Sequence, residues 1–359
     1  MTAPVKKIGI YIGQLHFGGA EKQSLFLAEA LKDKYEVEFI VFKGHRIENS
    51  YEKQLQKWQI PYYFLKGYSL FRVFKLYKIF RKKKYQAVFC YLPADQVIGT
   101  IIARLSGIKY VIGGIRNTKI VKKKFIITKK IQNRFQDYII FNSQKALDIY
   151  CGNGYRKDKS LVIENTVLVD DNYVARIKNE KVKILMVGRF VTQKDYQNAV
   201  KAISYLYHDL KIQNIRFIIA GFGEMETEIR EWLKIYKIES VTDIHLKPDN
   251  LTELYRTSDL MLNSSIFEGM SNSIMEATSY GLPVVATETG DIQKLVTDGK
   301  SGYIVPVGDY KAMAEKLSIL CSDSEKRVQF SRAAYKNLKN NYSFDRFKEK
   351  YKNFVLSLT

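Results

Sequence analysis

The sequence predicts an α/β protein with two successive parallel sheets, each covered by helices on both faces. Short apolar runs typical of buried strands alternate with segments of helical periodicity, and this alternation restarts after residue 175. Strands that are buried on both faces read as nearly continuous apolar runs. The chain has 359 residues, which is enough for two domains of ordinary size.

The first half begins with an apolar strand over residues 7–12. An amphipathic helix is predicted over residues 21–31, because Leu25, Ala28 and Leu31 share one face. Further strands are predicted at residues 37–42, 87–91, 110–112 and 138–141. Helices are expected in the intervals between these strands.

The second half repeats the pattern. Strands are predicted at residues 183–187, 216–220, 260–262 and 284–286, and helices at residues 198–206 and 224–236. We therefore predict two Rossmann-like domains, at residues 1–170 and 176–342. A ligand is expected in a central cleft, where the carboxyl ends of strands from both sheets converge.

Composition excludes several protein classes. No run of eighteen apolar residues occurs, so no transmembrane helix is expected, and the N-terminal residues do not resemble a signal peptide. Three widely spaced cysteines argue against a disulfide framework, and four histidines without ligand spacing argue against a metal site. These features favour a cytoplasmic protein that needs no metal.

The net charge of +21 indicates either that the protein has an anionic partner or that the charge keeps it soluble. Nucleic acid, an anionic membrane face and phosphorylated substrates are the candidates. A compositional bias of an AT-rich genome is the alternative for part of the lysine and tyrosine excess.

Two glutamates flank a predicted helix start in the second half. Glu268 lies in a loop beside Gly269, and Glu276 lies about two turns into a helix that ends before Gly281. The helical rise puts the two carboxylates about 10 Å apart. Free N–H groups at the helix start can bind a diphosphate between them, with a hydroxyl-rich group facing each glutamate. This is the layout of a nucleotide-sugar site, although Glu276 could also be a solvated helical glutamate.

Other candidate residues follow predicted strands. Arg189 and Lys194 could both reach one diphosphate, although two solvated surface cations are the alternative. Glycines allow the backbone to approach a ligand closely. The glycines concerned are Gly18 and Gly19 before the first helix, and Gly221 and Gly223 in the second half.

Six motifs resemble those of the retaining glycosyltransferases of family 4 (GT4), which have the two-domain GT-B fold. They cover residues 17–21 (FGGAE), 187–190 (VGRF) with Lys194, 219–223 (IAGFG), 268–277 (EGMSNSIMEA), 281–287 (GLPVVAT) and 298–303 (DGKSGY). The order and spacing of the motifs are also those of the family, and the resemblance spans most of the chain.

The resemblance implies a role for each residue. Arg189 and Lys194 would stabilise the leaving nucleoside diphosphate in place of a metal. Glu268 would border the donor sugar, and Glu276 would hold the ribose hydroxyls. The segment around the helix start would face sugar and phosphate, and it comprises Gly269, Met270, Ser271 and Asn272.

The resemblance also implies a reaction. A UDP- or GDP-sugar would donate its sugar, with retention, to a hydroxyl of a lipid-linked or polysaccharide acceptor. The leaving phosphate would help to deprotonate that hydroxyl during front-side attack, without a metal or other cofactor. A terminal helix over residues 343–359 would cross back onto the first domain.

Two residues of the first half are further candidates for contacts with donor or acceptor. Arg116 follows a strand at a place where many family members carry a histidine, and it could bring a positive charge near a phosphate. A surface ion pair is the alternative for Arg116. His16 could line the cleft, with a structural histidine as the alternative.

Two other functions remain open. A nucleotide-sugar epimerase of the same architecture would need no acceptor, and a basic module could bind RNA or another anion. The paired cations and glutamates disfavour a nucleic-acid partner, because nucleic-acid binding needs neither glutamate. A requirement for an acceptor would separate the transferase from the epimerase.

Two segments predict attachment to an anionic membrane. Residues 71–84 and 122–130 mix bulky apolar side chains with lysine and arginine, a composition that favours a membrane interface. Phe71, Phe74, Tyr77 and Lys78 fall near one face of the first segment. We therefore expect a peripheral location on the cytoplasmic face of the inner membrane. The alternative is that the apolar face packs on the sheet and the lysines are only solvated.

Overall fold

The computed structural model describes residues 6–45, 47–119, 122–169, 173, 181–248 and 250–358, without the side chains of residues 93, 94 and 122–124. The chain forms two compact units, each of which is described by itself. Unit 1 comprises Met1–Thr166 and Phe344–Thr359, and unit 2 comprises Val167–Ser343. The sequence places the central boundary at residues 170–176, whereas the structure places it between Thr166 and Val167.

Unit 1 contains a seven-stranded parallel sheet. Its strands are β1 (Lys7–Ile12), β2 (Glu36–Val41), β3 (Tyr62–Phe64), β4 (Ala87–Tyr91), β5 (Tyr110–Ile115), β6 (Tyr138–Phe141) and β7 (Ser160–Val162). The strand order is β3-β2-β1-β4-β5-β6-β7. The chain therefore runs outward from β1 to β3 and then, from β4 onward, outward to β7 on the other side.

The helices of unit 1 cover both faces of this sheet. They are α1 (Gly19–Leu31), α2 (Asn49–Lys57), α3 (Ser69–Lys83), α4 (Pro93–Leu105), α5 (Lys122–Phe135) and α6 (Gln144–Gly152). Right-handed crossovers put α1 and α2 on one face and α3, α4 and α5 on the other. The packing agrees, since Leu25 and Leu55 belong to one apolar core whereas Leu76, Phe80 and Ile102 belong to another.

Unit 2 contains a six-stranded parallel sheet. Its strands are β8 (Val182–Arg189), β9 (Ile215–Phe222), β10 (Thr242–Leu246), β11 (Leu260–Asn263), β12 (Val284–Thr287) and β13 (Gly302–Val305). The strand order is β10-β9-β8-β11-β12-β13. The helices are α7 (Tyr196–Ser204), α8 (Glu226–Ile235), α9 (Leu251–Thr257), α10 (Asn272–Ser279), α11 (Ile292–Leu295), α12 (Tyr310–Ser322) and α13 (Ser324–Tyr342).

The last helix, α14 (Phe344–Leu356), packs against α1 and belongs to unit 1. The Tyr351 and Phe354 rings meet the Phe89 ring edge-on, with centroids 6.0 and 6.2 Å away. Lys350 Nζ lies 2.7 Å from Glu164 Oε2. Burial of one aromatic face, together with this ion pair, anchors the helix to unit 1.

The predicted α/β class with two successive parallel sheets is confirmed. The prediction for β5 is too short, because Gly113 and Gly114 continue its pairing with β6. A Cβ atom at Gly113 would lie 2.0 Å from Gln136 Oε1, so glycine permits close packing there rather than a turn. The short strands β3, β7, β10 and β13 are not evident in the sequence, because none of them is a long apolar run.

No helix in the described part of the chain is long and apolar enough to cross a membrane.

Candidate active site

The strand order of unit 2 reverses between β8 and β11. Ligands of open α/β sheets bind in the crevice beyond the carboxyl ends of the strands at such a switch point. Lys194 follows β8, and Glu268 follows β11. The two candidate residues thus come from the two strands that flank the switch point.

Lys194 and Glu268 form a mostly buried ion pair. Lys194 Nζ lies 2.6 Å from Glu268 Oε1, and the side chains are 15% and 13% exposed. Ser265 Oγ donates to the same carboxylate oxygen at 2.9 Å. Charge-assisted hydrogen bonds of this length are strong, so they fix the carboxylate and the ammonium group relative to each other.

Further hydrogen bonds join the loops that carry this pair. Gln193 Nε2 donates to Phe267 O at 2.9 Å, and Ile266 N donates to Gln193 O at 2.9 Å. Ser264 Oγ donates to Lys194 O at 2.8 Å. The two loops are about seventy residues apart in the sequence, yet they are held together through both backbone and side chains.

Glycines let the backbones after β8 and β9 approach each other. A Cβ atom at Gly221 would lie 1.9 Å from Gly188 O, and one at Gly223 would lie 2.4 Å from Phe190 O. At Gly188, a Cβ atom would lie 3.0 Å from Lys194 Cε, so the lysine side chain lies against this glycine. In the structure Gly221 and Gly223 serve backbone packing, and their contact with a ligand remains a prediction.

The start of α10 is fixed by its neighbours. Asp291 N donates to Gly269 O at 3.1 Å, and Met270 is 3% exposed in the apolar core. Ser271 precedes the first helical residue, Asn272, and its side chain makes no capping hydrogen bond within the described residues. Ser271 Oγ lies 3.2 Å from Ser273 Oγ. The Ser271 side chain therefore does not cap the first turn of α10, and the binding of a ligand anion at this turn remains a prediction.

Glu276 is the fifth residue of α10, so it lies in the second turn and less deep in the helix than the predicted two turns. Tyr255 Oη donates to Glu276 Oε2 at 3.0 Å. Burial, followed by the charge of Glu276, holds the pKa of Tyr255 well above its usual value. Tyr255 therefore remains a proton donor that orients this carboxylate.

Arg189 ends β8 and has an exposed side chain. Among the described contacts, Lys194 forms an ion pair with Glu268 and makes none with Arg189. The common use of these two cations on one diphosphate remains a prediction.

The candidate residues of unit 1 surround the start of α1. Gly18 is its N-cap, and a Cβ atom there would lie 2.2 Å from Glu21 Oε2, so the glutamate folds back against the glycine. Gly19 is the exposed first residue of the helix. His16 is half-buried and meets the Phe17 ring edge-on, with centroids 5.9 Å apart.

Arg116 follows β5 directly. Its Nη1 donates to Asn165 Oδ1 at 3.0 Å, and its Nη2 donates to Tyr91 Oη at 2.9 Å and to Tyr351 Oη at 3.2 Å. The guanidinium carbon lies 5.0 Å from the centre of the Tyr91 ring. These partners are neutral oxygens, unlike the carboxylate of the ion-pair alternative.

Two residues of the unit 2 site are absent from the sequence prediction. Ser265 follows an apolar run directly, a position that the same strand-end argument could have identified. Tyr255 gives no such signal, since it lies 21 residues before Glu276 and on a different helix. Among the described residues, no group of three histidine, cysteine or acidic side chains is arranged to hold a metal ion.

Comparisons with known proteins agree with this architecture. The family model "Glycosyltransferase Family 4" matches residues 17–171, and "Glycosyl transferases group 1" matches residues 171–337. The crystal structure of Anabaena Alr3699/HepE in complex with UDP-glucose superposes with a TM-score of 0.87 over 98% of this chain and 99% of that chain. The identity of that pair is 17%, so this likeness concerns the fold alone.

Two curated bacterial relatives are similar in sequence. A Campylobacter jejuni protein is 24% identical over 360 residues, covering 96% of this chain and 97% of its own. Its name is GalNAc-α-(1→4)-GalNAc-α-(1→3)-diNAcBac-PP-undecaprenol α-1,4-N-acetyl-D-galactosaminyltransferase. The amylovoran biosynthesis glycosyltransferase AmsD of Erwinia amylovora is 28% identical over 176 residues, and this match covers 48% of the chain and 47% of AmsD. With two adjacent family models accounting for residues 17–337, the chain belongs to the family 4 glycosyltransferases and has the GT-B fold.

Proposed function

We propose that the protein transfers a sugar, with retention of anomeric configuration, from a nucleoside diphosphate sugar to a hydroxyl of a lipid-linked or polysaccharide acceptor. The observation that carries this proposal is the Lys194–Glu268 pair, 2.6 Å apart at the switch point of unit 2. A diphosphate bound at the first turn of α10 would contact residues that lie between Glu268 and Glu276 in the sequence. Tyr255 supports the assignment of Glu276 to the ribose, because it orients one carboxylate oxygen.

In the proposed reaction, the bond between the anomeric carbon and the β-phosphate oxygen breaks. The acceptor oxygen forms a new bond to that carbon, and its proton passes to the departing phosphate. Negative charge grows on the phosphate, where Lys194 can share its three donors between Glu268 and the ligand. The exposed side chain of Arg189 supplies a second positive charge, so the proposed stabilisation of the leaving phosphate needs no metal ion.

The acceptor proposal includes a cellular location. The Campylobacter jejuni relative is named for an undecaprenyl diphosphate acceptor, and this supports a lipid-linked acceptor here. We therefore place the protein at the cytoplasmic face of the inner membrane, without a nucleic-acid partner.

A panel of UDP- and GDP-sugars tests the donor. The true donor should raise the melting temperature most, because the stabilisation by a ligand grows with the logarithm of its concentration relative to its Kd. Sugar transfer should then require an acceptor, and the anomeric configuration of the product should match that of the donor. Conversion of the nucleotide sugar without an acceptor would instead support an epimerase.

The absence of a metal is tested in the same assay. Transfer should continue at an unchanged rate after treatment with a chelator. A strict requirement for an added divalent cation would overturn the proposed stabilisation of the leaving group by Lys194 and Arg189.

A further inference from the structure

We propose that unit 1 docks on an anionic lipid bilayer through the outer surface of three adjacent helices, α3, α4 and α5. We call this the α3–α5 surface. Its apolar residues are Tyr68, Leu70, Phe71, Phe74, Ile101, Leu105, Ile126, Ile127 and Phe135. None of them belongs to the candidate active site, so the docking proposal stands or falls separately from the proposed reaction.

Exposed apolar side chains are concentrated on this surface. Fifteen large hydrophobic residues are exposed in the described part of the chain, and nine of them lie on it. Tyr68 is 91% exposed, Leu70 83% and Ile127 61%. Single exposed apolar residues are normal on proteins, but a concentration of this kind marks an interaction surface.

The three helices form one layer. Helix α3 packs beside α4, and α4 packs beside α5, on the sheet face opposite α1 and α2. Leu76 and Phe80 of α3 are fully buried against the sheet, whereas Leu70, Phe71 and Phe74 stay outside. The predicted grouping of Tyr77 with these outer residues is wrong, because Tyr77 packs against the core.

The surface is also basic. Helix α3 carries six lysine and arginine residues, and α5 carries another six, with no acidic residue in either helix. Lys75 Nζ lies 4.5 Å from the centre of the Phe71 ring, and Lys78 Nζ lies 4.4 Å from that of Phe74. Cations thus stand beside the exposed aromatic rings, as in helices that lie in a membrane interface. Lys83 pairs with Glu38, and the guanidinium carbon of Arg72 lies 4.9 Å from the centre of the buried Phe42 ring, so neither is counted among the docking cations.

This chemistry selects one occupant. A second copy docked face to face through the same surface would bring these cations against each other, and nucleic acid would leave leucine and isoleucine uncovered. An anionic leaflet accepts both features, because its headgroups pair with lysine and its acyl region receives the apolar side chains. The basic lysines 122–124 extend the same helix, although their side chains lie outside the described residues.

Binding to vesicles tests the proposal without donor or acceptor. The full-length protein should bind phosphatidylglycerol-rich vesicles at low salt, and binding should weaken as salt rises. The double variant Lys78→Glu/Lys82→Glu should bind about 25-fold more weakly or worse, since each cation near an anionic leaflet contributes about fivefold. Leu70→Ser should also weaken binding.

Matched controls lie in unit 2. Arg332→Glu/Lys336→Glu changes the same number of exposed cations at the same helical spacing, and Ile235→Ser removes a residue that is 67% exposed. Both controls should bind vesicles like the wild type. The melting temperature with and without nucleotide sugar should be unchanged in all four variants, which excludes misfolding.

A Phe71→Trp variant reports the depth of insertion. Brominated lipids should quench its added emission, whereas the emission of Ile235→Trp should be unaffected. The proposal is overturned if the wild type ignores anionic vesicles at low salt, or if the α3–α5 variants bind as tightly as the controls. A wild-type dimer that the Leu70→Ser change dissociates would also overturn it, in favour of a second copy.

Discussion

The two units have similar parallel sheets, but the cations that follow their strands have different partners. In unit 2, Lys194 has a carboxylate partner, Glu268, at 2.6 Å. In unit 1, Arg116 donates to an amide oxygen and two tyrosine hydroxyls. A phosphate entering unit 2 must share its cation with Glu268, whereas one reaching Arg116 would meet a cation whose described partners carry no negative charge.

The outer surfaces differ as well. Exposed apolar residues of unit 2, such as Ile235 and Val307, are scattered, whereas those of unit 1 concentrate on the α3–α5 surface. The same scaffold therefore presents an ion pair beyond its strand ends in one unit and a large basic, apolar face in the other. This contrast agrees with a proposed division in which unit 2 binds the donor and unit 1 meets the acceptor and its membrane.

The largest expected effect is at Lys194. Lys194→Ala should lower the turnover number about 100- to 1000-fold, because a charge-assisted contact to developing charge contributes about 2.7–4 kcal/mol. Steady-state transfer with the best donor of the panel measures it. Lys300→Ala, which alters an exposed lysine of the same unit, is the control and should leave turnover unchanged. Wild-type turnover in Lys194→Ala would remove this residue from the site.

A double variant separates catalysis from stability at the same pair. Lys194→Met leaves the Glu268 carboxylate without its cation in a mostly buried position, so the melting temperature should fall. Lys194→Met/Glu268→Gln should recover melting temperature but not turnover. Recovery of both would show that the pair only holds the two loops together.

The next effect concerns Glu276. Glu276→Ala should lower kcat/KM for the donor about 100-fold, because the proposed charge-assisted contact to the ribose would be lost. Tyr255→Phe removes only the hydrogen bond that orients Glu276, so it should cost about tenfold or less. The test is whether Glu276→Ala loses more of kcat/KM than Tyr255→Phe does. An equal or larger loss in Tyr255→Phe would mean that Tyr255 itself carries the contact.

The sequence could predict much of this site, because its residues follow apolar runs at strand ends. Glu268, Gly269 and Ser271 stand in one motif after β11, and their proximity needs no tertiary information. The Lys194–Glu268 pair does need it, since 74 residues separate the partners and only the adjacency of β8 and β11 brings them together. Tyr255 was not predictable for the same reason.

The fold shows the same limit. Central strands such as β1 and β4 are buried and apolar, so periodicity identifies them. The edge strands β3 and β10 are half-buried or exposed along their length. Their sequences therefore carry little of the apolar signal that a buried strand requires.

A smaller effect is expected at Arg116. Arg116→Met should lower the free energy of unfolding of unit 1 by about 1–3 kcal/mol, because it leaves buried oxygens without a donor. Nucleotide-sugar affinity, measured by calorimetry, should stay unchanged if unit 2 alone binds the donor. Arg134→Met, at an exposed arginine of α5, is the control for stability. Loss of donor affinity in Arg116→Met would instead place Arg116 at the donor.

The smallest effect is a difference in acid sensitivity between the units. Burial tends to raise the pKa of Glu38 in unit 1, but hydrogen bonds from Tyr85, Lys83 and Lys7 outweigh it and hold that pKa below its ordinary value of 4.5. The stability that Glu38 contributes is thus complete above pH 4.5 and is lost as pH falls through the lowered pKa. Burial raises the pKa of Asp195 in unit 2 above 3.8, only partly offset by the Asn198 N–H and the charge of Lys201. Protonation of Asp195 therefore favours the folded state as pH falls.

Hydrogen exchange of peptides from each unit, measured between neutral pH and about pH 3, resolves these opposite signs. The protection lost by unit 1 between pH 4.5 and lower pH should be smaller in Glu38→Gln than in the wild type. Glu36→Gln is the matched control, since Glu36 is 73% exposed and its only described ion-pair contact is the longer 3.6 Å one to Lys7. In Asp195→Asn, the gain that unit 2 draws from protonation should disappear, because the amide has no proton to take up. If Glu38→Gln and Glu36→Gln change the acid dependence of unit 1 equally, the buried network around Glu38 is not the source of its acid sensitivity.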